Sequence, residues 1–170
     1  MSNATQTNAT PAEGSNYINL HTNGIGYANR ARVVTPKKGG SFLAVSISGM
    51  FGEKGVEKGI TYVPYDVKAV TAQAEDVLRQ FEADINNQDK KVLVRFQIGD
   101  AFIDSFTYNS GPKAGQMGMT MKGRLLKVTH VWVKDSGQDD GKNVLVYDLA
   151  AIQAAQAASQ DEAERSGTQG

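Results

Sequence analysis

The sequence predicts a mainly β domain, a small five-stranded barrel carrying one helix. Three observations point to it. Apolar and polar residues alternate in run after run, the period of a half-buried strand. One stretch near the middle has helical period instead. Eighteen glycines in 170 residues supply the turns that many short strands need.

The elements follow in order. "MSNATQTNATPAEGS" is small and polar. It cannot bury enough apolar area to offset its ordering entropy, so residues 1–16 are expected to be a disordered arm. Its two Asn-x-Thr sequons mean little without a secretion signal. In the first strand Ile25, Tyr27, Ala31 and Val33 share one parity, and Ala28, Arg30 and Arg32 share the other. "SFLAVSISG" sets Leu43, Val45 and Ile47 against a small, polar face. "ITYVPYDVKAV" (60–70) reads as a strand in which Pro64, lacking an N–H, marks an edge or a bulge. In "TAQAEDVLRQFEADINNQ" (71–88), Ala74, Val77, Leu78, Phe81 and Ile85 form one helical stripe, with Thr71 as the N-cap.

"KVLVRFQIGD" (91–100) puts Val92, Val94, Phe96 and Ile98 on one face, and "AFIDSFTY" (101–108) does the same for Phe102, Phe106 and Tyr108. "GRLLKVTHVWVKD" (123–135) is long and β-branched, and forms a hairpin with "NVLVYDL" through "SGQDDGK". The domain is therefore expected over 17–149. Residues 150–170 are rich in Ala, Gln and acids, and read as a frayed helix running into a flexible acidic tip. Strand, strand, strand, helix, strand, strand is the order of the OB-fold, a Greek-key barrel with its helix between strands 3 and 4. Other small β-barrels share the pattern.

Several chemistries are excluded. The chain has no cysteine, so disulfides, thiolate metal sites and cysteine nucleophiles are out, and a reducing cytoplasm suits it. Its opening residues show no charged n-region followed by an apolar h-region, and no apolar run of about 18 residues occurs, so neither a signal peptide nor a membrane partner is expected. His21 and His130 are isolated, and no metal or cofactor is expected. "GPKAGQMGMTMKGR" (111–124) looks like a phosphate loop, but Lys122 precedes Gly123 rather than Ser or Thr, and the segment leads into a strand. Asp100 and Asp104 read as turn acids. There is no nucleophile–base–orienter set, so an enzyme is not expected.

The formal net charge of zero hides a split. Residues 17–134 carry 16 Lys and Arg against 10 Asp and Glu, whereas residues 135–170 carry 2 against 7. A basic body with an acidic tail fits a polyanion partner. A single-strand binder needs cations for phosphates and aromatic faces for bases. Both fall together on the strands here. Arg30, Arg32, Lys37, Lys38, Arg95, Lys122 and Arg124 are the candidate phosphate contacts, and Phe42, Tyr62, Tyr65, Phe106, Tyr108 and Trp132 the candidate stacking rings. The Gly- and Lys-bearing loop before Arg124 is a candidate clamp of the kind OB-folds use.

A resemblance supports this. "YINLHTNGIGYANRARVVTPKKGGSFLAVSISGMFG" with "VLVRFQIGDAFIDSFTYNSGPKAGQMG" resembles replication-associated proteins encoded on bacterial integrating conjugative elements and plasmids, over about residues 17–135. More loosely, "YDVKAVTAQAEDVLRQFEADINNQDKKVLVRFQIGD" resembles the middle of bacterial single-stranded-DNA-binding proteins. The resemblance implies single-stranded DNA binding in replication or transfer of a mobile element, with replication proteins as further partners. The chain departs in two places. Its end, "DEAERSGTQG", lacks the Pro-Phe tip through which those binders recruit partners, and Tyr62 or Tyr65 must stand for a tryptophan of their third strand. The other reading is an OB-like adaptor that docks on a replication protein through Phe42, Phe106 and Tyr108. Open strand edges would allow a homo-oligomer under either reading.

Overall fold

A computed structural model describes residues 17–166, apart from residue 136 and residues 138–141. The arm expected over 1–16 and the tip beyond 166 lie outside the described residues. The elements are β1 (His21–Val34), β2 (Phe42–Gly52), β3 (Ile60–Ala69), α1 (Ala72–Asn86), β4 (Lys90–Thr107), β5 (Met117–Asp135), β6 (Val144–Asp148) and α2 (Leu149–Ser166). The strands form one sheet in the order β3-β2-β1-β4-β5-β6, with antiparallel neighbours. β3 also pairs in parallel with β5, from Tyr65–Met121 to Ala69–Leu125, so five strands close into a ring.

The sheet has six strands rather than the five expected. The sixth is the hairpin partner "NVLVYD", which pairs with the C-terminal part of β5 outside the ring. The helix expected after the last strand is α2, which runs to Ser166. None of its residues is buried, and the Asp148 carboxylate caps its start by accepting from the N–H groups of Ala150 and Ala151 at 3.0 and 3.2 Å.

The core is filled by the stripes that the sequence displays. Leu43, Val45 and Ile47 of β2 meet Val92, Val94, Phe96 and Ile98 of β4. Leu125, Val128 and Val131 of β5 join them, and α1 adds Ala74, Val77, Leu78, Phe81 and Ile85. Thr71 caps α1 as expected, its Oγ1 accepting from the Ala74 N–H at 3.2 Å.

β1 corrects the expected parity. Ala28 and Ala31 are both buried, and a spacing of three is impossible on one face of an unbroken strand. The register breaks between Asn29 and Arg32, and Arg30 takes φ 52° there. This bulge puts Ile25 and Tyr27, expected to share a face with Ala31, on the outer face instead. β4 is likewise a correction: the stretches 91–100 and 101–108 are one strand, kinked at Asp100 (φ 52°) with a register break between Gly99 and Phe102. β5 begins at Met117, so Lys122 and Arg124 lie well inside it and the connecting loop is shorter than expected.

One edge of β5 changes partner along its length. β3 serves it as far as Leu125, and β6 serves it from His130. Between them the entry to α1 fills the gap. The Val70 N–H donates to the Leu125 carbonyl at 3.2 Å, and Thr71 Oγ1 to the Leu126 carbonyl at 2.8 Å. The Gln73 amide then acts like a strand residue. Its Nε2 donates to the Val128 carbonyl at 2.6 Å, and its Oε1 accepts from the Val128 N–H at 3.0 Å. Gln73→Ala should leave both Val128 groups without these partners and cost about 1–3 kcal/mol in urea denaturation. A loss under about 0.5 kcal/mol would mean that water replaces the amide at little cost.

Candidate nucleic-acid interface

The bulge at Arg30 and the ring closure set up one cleft. β1 presents Arg30, in the bulge, and Arg32, just past it, to this cleft. β3 presents Asp66 and Lys68 on its outer parity, and the β3–β5 pairing brings Lys122 and Arg124 beside them. Beyond Gly99 the β4–β5 hairpin continues past the ring, and its near face carries Phe102, Asp104 and Phe106.

Two hollows, of about 610 and 410 Å³, share Arg32, Asp66 and Lys122, and so form one groove. The first is lined by Tyr17, Phe42, Lys68, Phe102 and Arg124, among others, and the second by Arg30, Tyr65, Asp104, Phe106 and Tyr108. Cations and rings are coupled along it. Lys68 Nζ lies 4.6 Å over the Phe42 ring, the Arg124 guanidinium 5.6 Å from the Tyr17 ring centre, and Lys113 Nζ 5.7 Å from that of Tyr108. Phe106 and Tyr108 meet edge to face at 4.9 Å. Gly118 makes room for them, since a Cβ there would stand 2.5 Å from Phe106 Cζ.

Three of the cations are held by carboxylates of the groove itself. Arg32 pairs with Asp66 at 2.7 Å, Lys122 with Asp104 at 3.0 Å, and Arg124 with Asp100. These side chains keep between about a quarter and a half of their exposure, so water screens each pair and its worth is small, about 0–1 kcal/mol. An incoming anion competes with a weak partner.

Tyr17 straps one end of the groove. Its hydroxyl donates to Asp100 Oδ2 at 2.5 Å, and the Asp100 N–H donates to the Leu20 carbonyl at 2.8 Å. The hydroxyl bond from Tyr17, helped by Arg124, lowers the Asp100 carboxyl below its ordinary range, and the same bond raises the Tyr17 phenol above 10.0. The strap is thus intact across the neutral range. It opens as pH falls through the lowered Asp100 value or rises through the raised Tyr17 value.

Of the residues singled out from sequence, Arg30, Arg32, Phe42, Tyr65, Phe106, Tyr108, Lys122 and Arg124 line the groove. Tyr65 contributes only an edge. It has the inner parity of β3, and its ring packs on Phe96 at 5.9 Å. Tyr62 has the outer parity, in line with Pro64 and Asp66, and is 53% exposed. Lys37 and Lys38 are exposed in the β1–β2 turn and line neither hollow. Arg95 and Trp132 lie on a different part of the outer surface, where Trp132 stacks parallel to His130 at 5.3 Å. Sequence reasoning missed Tyr17, Lys68, Phe102 and the three aspartates. The alternation Asp66, Val67, Lys68 was a usable signal for two of them, and Tyr17 carried none.

The fold and the groove define the class: a mainly β chain with an elongated cleft of interleaved cations and rings. The chain belongs to the family described as protein of unknown function (DUF3577), whose model matches residues 11–160. No curated protein and no solved structure matches it. Among the described residues no helix is long and apolar enough to cross a membrane, and no group of three or more His, Asp or Glu could hold a metal ion.

Two tests follow from this geometry. Arg30→Gly removes a side chain from a left-handed backbone position, so it should leave stability unchanged or raise it by about 1 kcal/mol while weakening anion binding at the groove. Thermal melts and a polyanion titration read the two effects separately. In an alkaline titration of phenolate absorbance, the difference between wild type and Tyr17→Phe should ionise above the ordinary tyrosine value. Asp100→Asn should bring that difference down, and an identical curve in the Asn variant would remove the strap.

Proposed function

We propose that this protein binds single-stranded DNA during replication or transfer of a mobile genetic element. In this reading the closed ring is an OB-like Greek-key barrel with β6 appended. The groove over β1, β3 and β5 is its binding face, and the β4–β5 hairpin is the clamp. The protein works as a binder rather than an enzyme, in the cytoplasm. The observation that carries the reading is the groove itself. Arg30, Arg32, Lys68, Lys122 and Arg124 run along it, with Phe42, Phe102 and Phe106 between them. Phosphates would displace Asp66, Asp104 and Asp100 from their cations, and bases would stack on the rings.

A second reading is favoured by a separate observation. The far face of the hairpin exposes Ile103 and Met117, at 68 and 75%. Together with the groove's self-paired charges, this fits an adaptor that docks on a replication protein and holds DNA weakly.

Fluorescence anisotropy of a labelled oligo-dT of about 35 nucleotides separates the two. The DNA reading expects binding at about 50 mM salt that falls steeply by about 200 mM. Phe42→Ala should cost about 1–3 kcal/mol of affinity. Asp66→Asn, which releases Arg32 from its carboxylate, should tighten binding about 2- to 5-fold. No binding at the lower salt would sink the DNA reading and favour the adaptor.

A further inference from the structure

We infer that the outer face of β4 and β5 is a second track for single-stranded DNA, which reaches it from the groove past Arg30. The inference rests on the single-strand reading above and lengthens its site.

Strand register sets this face. Tyr27 of β1, Leu93 of β4 and Trp132 of β5 stand opposite one another in one row. Arg95 and His130 make the next row on one side, and Lys91 and Lys134 the next on the other. Lys91 and Arg95 are four residues apart on one strand, so about 13 Å separates the two basic rows, with the rings between them. Lys127, opposite Gln97, adds a cation beyond Arg95. Lys91, Arg95 and Lys127 are exposed, and Lys134 is half-buried.

Two observations favour an anion here. In the groove three cations are held by aspartates, whereas Lys91, Arg95, Lys127 and Lys134 make no ion pair among the described residues. Asp148, the acid beside His130 on this face, is already engaged in capping α2. The second observation is that Lys91 and Lys134 stand directly opposite each other in the ladder. Like charges so placed destabilise a sheet. A phosphate between them replaces that repulsion with two attractions.

A path joins this face to the groove. Arg30 lines the second hollow of the groove and also a neighbouring hollow of about 340 Å³, which Lys91 lines as well. Among the described residues no carboxylate lines that connecting hollow. A strand that leaves the groove at Arg30 can therefore cross to Lys91 and Lys134 without meeting an acid. Its next base reaches Trp132. That ring stacks parallel to His130, two residues before it on the same face, and Lys134 stands two residues after. A base placed on the Lys134 side extends the stack while its phosphate meets the two lysines.

Trp132 is the only tryptophan in the chain, so its emission reads this face directly. The full chain is titrated with labelled oligo-dT of about 35 and about 8 nucleotides, following label anisotropy and tryptophan emission together. The longer oligo should quench Trp132, and the shorter should bind with less quenching. The double variant Lys91→Gln, Lys134→Gln should melt at or above the wild-type temperature, because the opposed like charges are gone. It should raise the dissociation constant of the longer oligo about 10-fold at about 50 mM salt, and flatten its log–log salt slope by about 1.4. Binding of the longer oligo with Trp132 unquenched, or with the same salt slope in the folded double variant, would overturn the inference and leave the groove reading standing. No binding of either oligo would overturn both.

Discussion

The parallel pairing of β3 with β5 is the contact on which the rest of the molecule depends. It joins segments more than fifty residues apart and closes five strands into a ring. Closing so long a loop is entropically costly, and a parallel pair cannot be joined by a tight turn. Part of the connection is therefore the helix α1, which packs its apolar stripe on the core and so helps to offset the cost of ordering it. The helix also repairs the place where β5 passes from one partner to the next. Thr71 and Gln73 serve backbone groups there that neither β3 nor β6 reaches. Helix start, ring closure and the docking of Tyr147 against Gln73 are one connected arrangement.

The same closure makes the groove. Asp66 and Lys68 are unremarkable surface residues on β3 alone. Set in register with Lys122 and Arg124 of β5, they become two sides of a cleft. The carboxylates within it temper the cations. Each pair is weak and partly solvated, so the groove can exchange an internal partner for an external anion without exposing a buried charge. A groove with its cations unpaired would bind polyanions more tightly and release them less readily. In the proposed reading the internal acids would lower affinity for a polyanion, while the rings, which no acid can neutralise, would keep their full stacking surface.

The strand stripes of β2 and β4 and the helical stripe of α1 were legible in the sequence, because burial on one face forces a period of two or 3.6 regardless of the rest of the fold. The Thr71 cap was legible for the same local reason, since a threonine before an amphipathic run has few other uses. On β1 the face of Ile25 and Tyr27 was misread relative to Ala31, because the bulge at Arg30 shifts parity by one and only its neighbours' register reveals it. Arg95 and Trp132 show the other limit. Strand parity told that Arg95 points outward, but outward on a closed ring covers several directions, and both residues point away from the groove.

By itself, then, the sequence determined roughly where strands run, where α1 lies, most of what fills the core, and that cations and aromatic rings lie on the strands. These follow from periodicity and residue chemistry within a few residues of each position. Only the tertiary structure decided which of those side chains share a groove, that Tyr17 reaches Asp100 across 83 residues of chain, and that β6 stands outside the ring. Those facts depend on strand register and ring closure. They are fixed by the packing of distant segments, which no local pattern encodes.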